Sequence, residues 1–88
     1  MNTRTRTLET ASALINGDRE NDYGTPQENF ANIAERWSQT VGRKLKAWEV
    51  ALMMADLKLA RMATVGNPKP DSMIDAAGYI ALAAELSE

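Results

Sequence analysis

The chain contains neither cysteine nor histidine. Without cysteine, no disulfide and no thiolate zinc site can hold it together. Without histidine, it lacks the commonest metal ligand and the side chain that most often moves protons near neutral pH. A metal would have to be a hard cation held on carboxylates, magnesium or manganese before zinc. No apolar run approaches the length of a membrane span. The N-terminus is polar and lacks the apolar core of a signal peptide, so the expected location is the cytoplasm. Nor is there a surplus of one charge: the net charge is −2, with Lys and Arg spread along the sequence. A general nucleic-acid binder would show a basic patch or stripe instead. No strand pattern, internal repeat or dividing linker is visible.

What is present reads as a small globular domain. A hydrophobic content of 44% is too high for a disordered chain, and 88 residues suffice for one domain with a modest core. The apolar spacing predicts an all-α, four-helix-bundle-like fold, with helices over about residues 5–16, 26–41, 47–65 and 72–86. In the first, Leu8, Ala11, Ser12 and Ile15 share a stripe, and Gly17 is a natural stop. The second starts at a capping box, with Thr25 as N-cap, Pro26 at the first helical position and Glu28 at the third. Gly24 before it suits a positive φ. Phe30, Ile33, Ala34, Trp37 and Val41 then form its apolar stripe, and Gly42 ends it. The third is apolar on nearly every side, from Trp48 through Met62, which places it at the centre of the bundle or in an oligomer interface. The turn at Gly66-Asn67-Pro68 leads to a fourth helix that begins at Asp71 or Ser72. Its Ile74, Ala77, Ala81 and Ala84 form a small-residue face. Gly78 within it costs about 1 kcal/mol against alanine, a sign of close approach by a backbone or a ligand.

The charged residues do not follow from this architecture. Lys58 and Arg61 sit in the most apolar helix, where a charge must be paired or solvated. Pairing of Arg61 with Asp75 is one solution. Contact with phosphate is another, because arginine binds it bidentately and lysine as a point charge. Asp71 and Asp75 are four apart and share a helical face. They fit a divalent cation, or for Asp71 an N-cap and for Asp75 a first-turn carboxylate. In the loop before the second helix, Arg19 can reach a phosphate, Asp18 can orient Arg19, and Tyr23 can offer its ring to a base or to the core. Tyr79 follows Asp75 by one turn. The candidate ligand-binding set is therefore Asp18, Arg19, Tyr23, Lys58, Arg61, Asp75 and Tyr79, and the candidate metal carboxylates are Asp56, Asp71 and Asp75.

The succession Gly17-Asp18-Arg19, Tyr23-Gly24-Thr25-Pro26, Asn29-Phe30, Ile33-Ala34 with Trp37, Val50-Ala51-Leu52-Met53-Met54, Lys58 with Arg61, and Asp71-Ser72 with Asp75 and Gly78-Tyr79 resembles a family of small phage and prophage proteins of unassigned function. The likeness covers nearly the whole chain, from Leu14 to Leu86. In pattern it is also similar to the all-α nucleoside triphosphate pyrophosphatases, the MazG-like and dimeric dUTPase-like proteins. That resemblance implies an oligomeric helical bundle in which helix-borne Glu and Asp hold magnesium while Lys and Arg hold phosphates. The enzymes typically carry acidic pairs three apart. Here Glu28 and Glu35 are seven apart, as are Glu49 and Asp56, and Asp71 and Asp75 are four apart.

Three functions follow as expectations. One is a nucleotide-recognising protein that hydrolyses a nucleoside triphosphate, with magnesium activating the water. Another is a non-catalytic binder that sequesters a host or signalling nucleotide as an anti-defence device. The third is a protein–protein interaction module acting on a host factor. In each the chain works in the cytoplasm, that of the host cell if phage-encoded, as a homo-oligomer. Its partner in the first two is a nucleotide or another phosphorylated small molecule.

Overall fold

The computed structural model describes residues 1–17 and 24–88. Among the described residues there are four helices and no strand: α1 (Thr3–Ile15), α2 (Pro26–Val41), α3 (Ala47–Val65) and α4 (Pro70–Leu86). The all-α reading holds.

Local chemistry sets most of the helix ends. Asn2 caps α1, its Oδ1 accepting the Thr5 N–H at 2.9 Å, so the helix starts ahead of the expected Thr5. At the other end Asn16, not Gly17, is the C-cap, donating its backbone N–H to the Ser12 carbonyl. Thr25 caps α2 as expected, with its Oγ1 accepting the Glu28 N–H at 3.1 Å. Gly24 stands at φ 80°, and Gly42 closes the helix at φ 78°, a region open to glycine at little steric cost. At the start of α3, Lys46 has no acceptor in its side chain. Glu49 supplies the reverse contact, its Oε1 accepting the Lys46 N–H at 3.0 Å. α4 departs from expectation: Lys69 is the N-cap and Pro70 the first helical position. Asp71 is therefore a first-turn acid and not the cap.

α3 and α4 pack most extensively on each other, α1 lies on α4, and α2 lies on α3 with a smaller contact to α4. The main core joins Phe30 and Ala34 of α2, Leu45 of the following loop, Val50 and Ala51 of α3, and Leu82 and Ala83 of α4. Ser38 ties the loop down, accepting the Leu45 N–H at 2.8 Å and donating to the Ala34 carbonyl. Small residues, Ala55 and Ala76, are buried on the two central helices. They allow a close helix pair but add little apolar area.

Two predicted stripes turn out otherwise. Leu8 of α1 is 64% exposed while Ala11 is buried. On α4 the buried positions are Ala76, Gly78, Leu82 and Ala83, whereas Ala81 and Ala84 of the expected small-residue face look outward. α3 buries Val50, Ala51 and Ala55 on one side of its first half, while Leu52 and Met53 there and Leu57, Leu59 and Val65 beyond are exposed.

Candidate functional site

A cleft of about 420 Å³ opens where α1, α3 and α4 meet. Its apolar walls are Ala11, Leu14 and Ile15 from α1 and Ile74, Gly78 and Leu82 from α4. Three polar side chains face into it: Lys58 from α3, and Asp75 and Tyr79 from α4. Asp75, Gly78, Tyr79 and Leu82 recur at three- and four-residue steps, so one stripe of α4 lines the cleft.

Gly78 determines how close the far wall stands. A Cβ built there would lie 3.0 Å from Cγ2 of Ile15. The glycine thus admits the end of α1 against α4, and the expectation of a backbone or a ligand there is corrected: the group that comes close is the Ile15 side chain.

Lys58 Nζ lies 3.0 Å from Asp75 Oδ2. The lysine side chain is 16% exposed and the aspartate 38%, so the lysine, stem included, is the more enclosed side chain. The cation in the apolar helix is satisfied by a carboxylate across the α3–α4 interface, as burial of charge requires. The expected partner of Asp75 was Arg61, and this is corrected: the interhelical register brings Lys58 to Asp75. Arg61, three residues on, is exposed and lines a separate groove with Leu57, Thr64, Val65, Lys69 and Ser72.

Tyr79 joins cleft and core. Its ring meets Phe30 edge to face, with centroids 6.3 Å apart and planes at 80°. Such a contact adds specific attraction to area burial and fixes the ring, so Tyr79 is held rather than free to swing.

Of the expected ligand-binding residues, the structure therefore gathers Lys58, Asp75 and Tyr79 and sets Arg61 beside them in another groove. Asp18, Arg19 and Tyr23 lie outside the described residues. The candidate metal carboxylates are not gathered. Asp56 and Asp71 are exposed, Asp75 is engaged by Lys58, and among the described residues no three acidic side chains stand close enough to share a cation. The α1 wall was not anticipated from the sequence. Its signal was Gly78, whose neighbour could not be named without the helix packing.

One further ion pair stands among the described residues. Glu49 also meets Arg43, with Oε2 at 3.3 Å from Nη2. The Lys46 N–H, and after it Arg43, hold the Glu49 carboxyl below the usual carboxylate range.

The sequence places this architecture among known proteins. The profile of a domain of unknown function, DUF6378, matches residues 6–87. The chain belongs to the DUF6378 family. It is 40% identical over 72 residues to the Gene 55 protein of Mycobacterium phage D29, covering 82% of this chain and 47% of that protein. It is 41% identical over 73 residues to the Gene 55 protein of Mycobacterium phage L5, covering 82% of this chain and 46% of that protein. The chain thus spans about half the length of the curated relatives it matches. No solved structure matches it. Kinship with phage proteins agrees with the likeness read from the motifs. The likeness to pyrophosphatases receives no support from these matches.

Proposed function

We propose that this domain recognises a nucleotide, with the nucleoside part seated in the cleft between α1, α3 and α4. The observation that carries this reading is the combination in one cleft of apolar walls, a fixed aromatic ring and a paired acceptor and donor. Small-molecule sites are built this way, mostly apolar with a few placed polar groups, in volumes of about 300–1,000 Å³. Because Asp75 neutralises Lys58, the cleft itself attracts no phosphate. A phosphate would need a cation from outside the cleft: Arg61, one turn along α3 from Lys58, is exposed and lines the neighbouring groove, while Arg19 lies outside the described residues. The resemblance to the all-α pyrophosphatases read from the motifs suggests the same ligand class, although their three-apart acidic pairs are missing here. The carboxylates Asp56, Asp71 and Asp75 do not fit a shared magnesium, so the proposal is one of binding, and no hydrolytic step is derived.

The test is a thermal-shift and calorimetric screen against nucleoside mono-, di- and triphosphates, with and without magnesium, with products assayed. A ligand at about 100 times its dissociation constant stabilises by about 2.7 kcal/mol. In a domain of this size that raises Tm by about 11–22 °C. No shift and no heat with any nucleotide would overturn the reading. Release of pyrophosphate would restore the hydrolytic one.

A protein-interaction module is favoured by a different observation. Leu52, Met53 and Leu59 on α3, and Met73 and Ile80 on α4, are exposed large apolar residues in a chain with a small core. A homo-oligomer is the simplest way to cover them. Sedimentation that shows only monomer at micromolar concentration would count against that form of it.

A further inference from the structure

We infer, resting on the homo-oligomer form of the interaction reading, that two copies pack face to face through the bare side of the α3–α4 pair. The four helices then form one bundle, and a cleft stays open on each outer side.

The pair has two unlike sides. α3 and α4 are joined by residues 66–69 alone and pack extensively on each other, so they run antiparallel. They meet along Ala51, Ala55 and Lys58 of α3 and Ala76 and Ala83 of α4. On antiparallel helices, residues turned the same way from the line of contact fall on one side of the pair. At the helical angle of 3.6 residues per turn, Asp75 and Leu82 turn one way. α1 and α2 cover that side, α1 at the cleft and α2 through Phe30 against Tyr79. Turned the other way are Leu52, Leu59 and Ala63 on α3, and Met73, Ile80 and Ala84 on α4, in the same steps of seven and four. The four large residues are 39–52% exposed, and both alanines are exposed. Neither stripe carries a charge.

Area and shape point to one partner. The chain exposes 6220 Å², whereas a self-contained monomer of 9.7 kDa exposes about 5,100 Å². The excess is about the 800 Å² that each partner gives up in a stable complex. The radius of gyration, 13.8 Å, likewise exceeds the value of about 12 Å for a compact chain of this length. A second copy suits the face because the face is complementary to itself. Its large side chains alternate with alanines, so one surface supplies both ridges and hollows, as packing about a two-fold axis requires. With no charge in either stripe, two copies meet without repulsion. The nearest acids, Glu49 and Asp56, stand on the outer edge of α3, and Glu49 is engaged by Arg43.

Sedimentation equilibrium on the full chain tests this, and the parent is expected to be a dimer. Leu59→Glu and Ile80→Glu, which place a carboxylate in the bare side, are each expected to weaken the dimer by at least about 100-fold while helicity by circular dichroism is kept. Leu57→Glu alters a similarly exposed leucine of α3 that is turned to the cleft side, and should leave the dimer intact. If either bare-side variant fails to fold, Leu59→Ala and Ile80→Ala keep the helix and are expected to weaken the dimer by at least about tenfold. A parent that is monomeric at about 100 µM overturns the inference and the homo-oligomer reading together. A dimer that withstands the folded bare-side variants, whether or not Leu57→Glu splits it, overturns the inference alone, because the copies then meet through another face.

Discussion

The α3–α4 pair and α1 spend their apolar residues in opposite ways. The pair buries Val50, Ala51, Ala55, Ala76, Leu82 and Ala83, and α2 seats Phe30 and Ala34 against it. α1 buries Ala11 alone, leaves Leu8 and Leu14 exposed, and lies mainly against α4. Burial of apolar area is what stabilises a fold of this size, so the larger share of the folding free energy comes from α2, α3 and α4. α1 adds Ala11 and the half-buried Ile15, which packs against the core, and contributes a wall. The cleft exists because one side of it is the packed α3–α4 pair and the other is a helix that buries few of its own side chains.

The largest expected effect tests the scaffold side. Phe30 is 2% exposed and braces Tyr79. Phe30→Ala should cost about 3–5 kcal/mol, a large part of a total that for such domains is about 5–15 kcal/mol. Urea unfolding followed by circular dichroism measures it. Leu8→Ala in α1 should change stability by no more than about 0.5 kcal/mol, as exposed positions do. A cost for Leu8→Ala approaching that of Phe30→Ala would break the comparison, because α1 would then be part of the core.

Asp75→Ala comes next, at the junction of the two regions. It strands Lys58, which is largely enclosed, but Asp75 itself is more than a third exposed and its contribution is screened. A loss of about 1–2 kcal/mol is expected. Lys58→Met should cost less, since water can reach the carboxylate left behind. If both substitutions stabilise the protein, the pair is retained at a cost to the fold, which would sharpen its assignment to ligand recognition.

A smaller effect depends on pH. The Glu49 carboxyl is held below its ordinary value, first by the Lys46 N–H and then by Arg43. A carboxyl depressed in the folded state stabilises above its unfolded pKa. That contribution is lost as pH falls through the folded value. Parent protein should therefore exceed Glu49→Gln in stability at neutral pH, and the gap should close in acid. α1 has no acidic residue in its first turn, so no matching acid-sensitive anchor is expected there. A gap that persists at low pH would show that the glutamine fails to replace the geometry, not the charge.

Legibility in the sequence followed the range of the interactions. Thr25, Pro26 and Glu28 announced the start of α2, and Gly24 and Gly42 its flanking turns, because capping is settled within a few residues. The start of α4 was misplaced because Asp71 and Ser72 look like caps, whereas proline at the first helical position lets Lys69 stand before it. The packing face of α4 was also misread. Alanine occurs at 76, 77, 81, 83 and 84, on both sides of the helix, so periodicity in small residues does not choose a face. Lys58 and Arg61 were both legible as cations needing an explanation. Which one meets Asp75 depends on the register between two helices, and no local pattern encodes that. The cleft was half visible for the same reason: α3 and α4 supplied its polar groups, but Leu14 and Ile15 could be assigned to it only once α1 was seen to lie on α4.

At Gly78, where the two regions touch, opposing effects on stability are expected to nearly cancel. Gly78→Ala gains about 1 kcal/mol of helix propensity. Against that, its Cβ would meet Ile15 Cγ2 at 3.0 Å, and Ile15 is β-branched and slow to yield by rotation. Because α1 fully buries only Ala11, the strain is expected to be relieved by a shift of the helix, and the net change in stability to stay within about 1 kcal/mol. Ile15 and Leu14 move with it, so the cleft changes shape although the fold does not. Nucleotide affinity should fall more than Tm does, which calorimetry and thermal unfolding of the same variant would compare. A loss of about 2 kcal/mol or more, the scale of an overpacked core, would mean that α1 cannot give way and is held as firmly as α2. An unchanged affinity with unchanged stability would mean instead that the α1 wall does not touch the ligand.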